Sequence, residues 1–171
     1  MTTANPALVR LLGDAVVAEL NGQAWPQPAT AAWEVPESFN ARRAYIVKND
    51  VKDIPTNGDP PLIVVRLSND ARNLKFRNAS LYDFSIDVDA QQQVDPNDND
   101  QCDAILDLME AFANYFSPGN GVTGVITIVA GPPAVKATCV SVEKPALYVP
   151  DHLDQYRVCT AVLRLNFNLV A

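Results

Sequence analysis

Between residues 81 and 89 apolar and polar side chains alternate. Tyr82, Phe84, Ile86 and Val88 point one way, and Asp83, Ser85, Asp87 and Asp89 point the other. A period of two belongs to a β-strand with one dry and one wet face. Directly downstream the period changes. Cys102, Ile105, Leu106, Met109, Phe112, Ala113 and Phe116 recur at steps of three and four, which gathers them on one stripe of an α-helix over 99–116. Asp98 or Asn99 is placed to cap its start, where a short polar side chain accepts a bond from an otherwise unpaired N–H. Ser117-Pro118-Gly119 stops it. Laying this helix on the dry face of the strand buries both apolar surfaces at once.

The same reading extends along the chain. Asn5-Pro6 opens a first helix over about 5–21, in which Leu8, Leu11, Leu12, Ala15, Val16 and Leu20 share a face and Gly22 ends the run. Residues 25–36 carry three prolines and are extended, with 32–35 a short edge strand at best. Residues 56–61 form a turn or loop, and 62–67 are mostly β-branched, as in a strand buried on both faces. The polar residues 68–78 then connect to the alternating strand, so the two strands make a hairpin with a long tip. Residues 91–100 read as a polar loop. Residues 122–129 and 135–142 form a second hairpin across the turn 130–133, Lys144-Pro145 breaks it, 148–155 is a polar connection, and 156–170 is the last strand. Helix, strands, helix, strands predicts one α+β domain over 1–171, with an antiparallel or mixed sheet and the two main helices packed on one face.

Composition narrows the function classes. The chain has 171 residues, 48% hydrophobic and 19% charged, with a net charge of −7. That is a globular balance with room for a real core. An acidic domain does not attract nucleic acid over distance, nor an anionic membrane. No apolar run is long enough to span a bilayer, and the first residues lack a basic-then-apolar signal pattern. Cys102, Cys139 and Cys159 are an odd set without CxxC spacing, each in an apolar pattern, as for buried free thiols in a reducing compartment.

The chemistry-bearing residues form no strong motif. Residues 95–100 resemble half of a calcium loop, yet Asp100 and Leu106 stand where that loop needs glycine and a bidentate glutamate. They suit the positive end of a helix better. The single histidine, His152, lies beside Asp151 and Asp154. One histidine with scattered cysteines supplies no zinc set, and pairing with Cys139 or Cys159 as a nucleophile would require them to meet in space. A phosphate-binding GxxxxGK[ST] loop is absent. No catalytic, cofactor or metal site is therefore expected. Asp83, Asp87 and Asp89 read as a solvated acidic face, or as a wall that repels DNA.

Taken in order, the elements resemble the tail terminator, or tail-completion, proteins of long-tailed bacteriophages. The features that carry this are the first helix and the Trp33-Glu34-Val35-Pro36 segment; Leu62-Ile63-Val64-Val65; a polar linker with Arg77 leading into the 81–88 alternation; the helix with Leu106-Asp107-Leu108-Met109-Glu110; and the tail from 148 into Val158-Cys159-Thr160-Ala161-Val162-Leu163-Arg164-Leu165. The resemblance covers nearly the whole chain and is weakest over 122–142. It implies a non-enzymatic virion protein, assembled in the host cytoplasm into a homohexameric ring that caps the tail tube, ends its polymerisation and joins it to the neck. The implied partners are further copies of the chain, the tail tube protein and a neck or head-completion protein, with DNA passing through the channel unbound. A head-completion, stopper, tube or baseplate protein is the neighbouring alternative, and a small enzyme using His152 the remote one. On this view Arg42, Arg43, Arg72, Lys75 and Arg77 are candidate docking residues for an acidic partner, and Asp83, Asp87 and Asp89 a candidate acidic lumen face.

Overall fold

The structure, a computed structural model, describes residues 7–45, 50–76, 79–118, 125–129 and 134–170. Within 69–76 and 79–81, and at 129, 146 and 170, it describes the backbone alone. The described elements are α1 (Leu8–Gly22), β1 (Arg42–Arg43), a 3-10 turn (Val51–Asp53), β2 (Leu62–Phe76), β3 (Ala79–Gln93), α2 (Asn99–Phe116), β4 (Val125–Val129), β5 (Val135–Ala146), α3 (Pro150–Tyr156) and β6 (Val158–Val170). The fold is a single α+β domain built on one six-stranded sheet in the order β1-β2-β3-β6-β5-β4. Every pairing is antiparallel except that of β1 with β2, so the sheet is mixed.

The last strand takes the middle of the sheet. β6 pairs with β3 from Leu81↔Val170 to Gln93↔Val158 and with β5 on its other side. Its alternation gives Cys159, Ala161, Leu163, Leu165, Phe167 and Leu169 to the same core as Phe84, Ile86, Val88 and Ala90 of β3. Both helices cover this face. α2 packs against β3, β5 and β6, while α1 touches β1 and β2 at one end of the sheet and β4 at the other. One helix reaches both ends because the sheet curls around it. Bulges in β2, β4 and β5 supply that curvature, since an extra residue on one strand bends it and increases its twist.

Several expectations from the pattern are corrected. Residues 68–76 are strand rather than a connection, so β2 and β3 form one long hairpin whose backbone pairs whatever its side-chain polarity; residues 77 and 78 lie outside the described residues. The strand also runs on through Gln91–Gln93. Gln92 and Gln93 look like loop residues, but their amides bond carbonyls of the 51–59 segment, Gln93 reaching Val51 O at 2.7 Å and Ile54 O at 2.6 Å. Residues 32–35 pair with no described strand. Gln27 replaces the neighbour, its amide donating to Trp33 O (2.8 Å) and its oxygen accepting from Val35 N (2.8 Å). β5 passes Pro145 because a register shift between Glu143 and Ala146 takes the proline out of the ladder. The expected connection 148–155 and the first residue of the expected last strand, Tyr156, instead contain α3, opened by Pro150 at its first turn and closed by left-handed Arg157 (φ 54°), so that β6 starts at Val158. The expected start of the first helix at Asn5-Pro6 is corrected: α1 begins at Leu8, with Ala7 in an extended conformation as its cap. Asn5, Pro6 and the 130–133 turn lie outside the described residues.

The α2 boundaries are those the pattern predicts, and Asp98 caps its start by accepting from Asp100 N. Segment 23–41 wraps the two helices. The Trp25 indole N–H donates to Leu20 O (2.9 Å), satisfying a carbonyl at the end of α1, and its ring meets Phe112 edge-on at 4.5 Å. Tyr115 Oη donates to Glu19 across the helices at 2.6 Å.

α1 approaches the sheet closely at Gly13. A Cβ there would lie 2.8 Å from Leu67 Cδ2 and 2.9 Å from Arg43 Cδ. Gly13→Val is therefore expected to destabilise the domain by about 2 kcal/mol through overpacking, measured by urea unfolding.

Candidate functional surfaces

The wet face of β3 is not solvated where its charge is greatest. Asp89 is fully buried and Asp87 nearly so, at 0% and 4% exposure. Each is held by an arginine from a flanking strand. The guanidinium of Arg66 on β2 grips Asp89 with two bonds, Nη2 to Oδ1 at 2.8 Å and Nε to Oδ2 closer still, and reaches toward Asp87 at 3.6 Å. Arg164 on β6 clamps Asp87 from the other side, Nε to Oδ1 at 2.7 Å and Nη2 to Oδ2 at 3.0 Å. The register sets this up, because Arg66, Asp87 and Arg164 stand directly opposite one another across three strands and Glu143 follows on β5. One step along, Asn166 joins Ser85, Ser141 and Glu143.

The expected acidic face is thus corrected: at Asp87 and Asp89 it is a neutralised ladder of charge pairs under cover. Desolvation still raises the Asp89 carboxyl above its usual range against the pull of Arg66, while the bond to Asp89 raises Arg66. Asp83, the third residue of the set, is half-buried. The pattern left the two arginines unnoticed, although Arg66 and Arg164 both fall on outward positions of strands that flank β3.

The expected basic patch is divided. Arg43 packs against α1 and pairs with Asp14 at 2.7 Å, whereas Arg42, one residue earlier and so turned to the other face, is exposed. The side chains of Arg72 and Lys75, and Arg77 as a whole, lie outside the described residues. His152 Nδ1 meets Thr160 Oγ1 at 2.9 Å. Cys159 turns to the opposite side of β6 and contacts Cys102 of α2, so histidine and thiol do not converge. Cys102, Cys139 and Cys159 are free thiols, and burial pushes Cys139 up to about 11 and Cys159 further. Among the described residues no group of three metal-binding side chains occurs, and no helix is long and apolar enough to cross a membrane.

An open cleft of about 550 Å³ lies on the helix layer between residues 24–29 and the outer side of α2, with Trp25, Pro26, Pro28 and Tyr115 as apolar walls and Asp107 and Glu110 at the acidic side; a second, of about 520 Å³, lies beside it against Val35, Pro36 and Glu37. Asp100, Asp103, Asp107 and Glu110 line one stripe of α2 at helical spacing, all exposed. Glu110 holds Lys144. The acids before α2 only suit the start of that helix, whereas this stripe follows from three- and four-residue steps along it that the sequence analysis did not single out.

Removing Arg66 alone strands a buried carboxylate. Arg66→Met is expected to cost about 3 kcal/mol, and Asp89→Asn in the same chain to return most of it, measured by urea unfolding at pH 7. The sign with pH follows from the raised Asp89 value. The folded state keeps a proton that the unfolded chain releases, so the Arg66→Met protein regains stability as pH falls toward the ordinary carboxylate range and loses it as pH rises through the folded value. The double variant lacks this dependence.

Compared with known families and with curated proteins, the chain matches no family model and no curated sequence.

Proposed function

We propose that this chain is a structural protein of a long-tailed phage particle: a tail terminator whose six copies close into a ring on the tail tube, stop its growth and join it to the neck. The observation that carries the reading is the order of elements and their side-chain pattern along nearly the whole chain, from the first helix through the 81–88 alternation and the 99–116 helix to the closing strand. The architecture is compatible with assembly. Among the described residues the sheet has a two-residue strand at one edge and a five-residue strand at the other, and neither pairs with a described strand on its outer side. Unlike edges meeting head to tail make a heterologous contact, and such contacts close into rings when the rotation allows. The tube protein and a neck or head-completion protein are the partners above and below. Asp87 and Asp89 are already paired with Arg164 and Arg66, so no lumen role is assigned to them.

Size-exclusion chromatography with light scattering is expected to give the mass of six chains, and negative-stain images to show rings that seat on the ends of tail tubes. A strict monomer that never associates with tubes would overturn the reading. Rings located elsewhere in the virion would move the protein to a neighbouring neck or tail position.

A further inference from the structure

We infer that the cleft on α2 receives Arg42 from a second copy of this chain; the inference rests on the ring reading and names a contact that holds the ring together. The cleft combines an exposed Pro26 and a half-buried Tyr115, backed by the buried Trp25 and Pro28, with an acidic side at Asp107. That pairing of surfaces suits a guanidinium, which stacks flat on aromatic rings and bonds a carboxylate with two parallel N–H groups. Asp107 is exposed and makes no ion pair with a described residue, and Asp103 one turn before it adds a second negative charge. Like charges four apart weaken a helix; Lys144 offsets Glu110, and a cation arriving from outside at Asp107 offsets the repulsion with Asp103.

The chain itself supplies the complement. Arg43, Arg66 and Arg164 are engaged by Asp14, Asp89 and Asp87. Arg42, like Arg10 and Arg157, is exposed and makes no ion pair with a described residue; unlike them it stands on β1, which is an edge strand among the described residues. Cleft and edge are different patches of one molecule, one on the helix layer and one on the rim of the sheet. Their contact is therefore heterologous, the kind a ring requires.

The test is self-association measured by sedimentation velocity over a concentration series. Asp107→Arg and Arg42→Glu are each expected to weaken association about tenfold or more, while Arg10→Glu, at an exposed arginine on α1, leaves it unchanged. The two weakened variants carry complementary charges, so mixing them is expected to restore assemblies that neither forms alone. Asp107 and Arg42 are exposed, and circular dichroism verifies the fold of each variant; where a charge reversal misfolds, Asp107→Ala or Arg42→Ala replaces it and is read on weakened association. A wild-type ring that neither substitution weakens, weakening without recovery on mixing, or an equal effect of Arg10→Glu overturns this contact and leaves the ring reading standing. A wild-type protein that is monomeric at every concentration overturns both.

Discussion

The ladder between β3 and β6 is the constraint from which the remainder follows. It joins residues 81 to 93 with 158 to 170, so it cannot form until nearly the whole chain is present. Its dry face is continuous across both strands and gives the two helices a floor. Its wet face sets charges opposite one another on three strands. A slip of one residue would turn every side chain of a strand to the opposite face, sending Asp87 and Asp89 into the aliphatic core and Val88 into the polar layer. The buried pairs add little net stability beside an apolar replacement, but they make the wrong register very costly. Arg66 and Arg164 thus serve as pins that admit one alignment of β2, β3 and β6.

Much of this was legible from side-chain periodicity. The 99–116 helix, the 81–89 strand and the placement of both helices on one face follow from the spacing of apolar residues, because burial against a common surface selects that spacing. What escaped was structure held by something other than apolar alternation. The polar stretch 68–76 stays in the sheet because its hairpin partner satisfies its backbone. Gln92 and Gln93 remain strand because their amides tie down a loop remote in sequence, and the amide of Gln91 donates to Thr160 on β6. Residues 150–156 coil into a short helix that rests on β6 through His152 and Thr160, a contact visible only once the two segments meet. The surfaces divided in the same way. The carboxylates of β3 were readable as a group, but whether water or arginine faced them depended on register, which no local pattern contains. The acidic stripe of α2 was readable in principle, and the aromatic wall beside it was not, because Trp25 arrives from another element.

The curl of the sheet connects the core with the outer surfaces. α1 lies against β1 and β2 on one side and β4 on the other, so it bridges the two ends of an incompletely closed sheet. Gly13 permits the approach on the β2 side, Asn21 ties the end of the helix to Ala41 just before β1 through bonds of 3.0 and 2.7 Å, and Asp14 fixes Arg43 within β1. A short edge strand held this firmly is oriented before any partner arrives. Because successive residues of a strand face opposite ways, anchoring Arg43 against α1 commits Arg42 to the outside. The helix that completes the core therefore also determines which cation the sheet edge presents. In the same way, the Trp25 ring that closes the core over Phe112 forms a wall of the cleft on the opposite side of α2. A change that loosened α1 from β1 or Trp25 from Phe112 would disturb both surfaces without altering a single exposed charge, so the surface chemistry of this domain cannot be separated from the packing of its first helix.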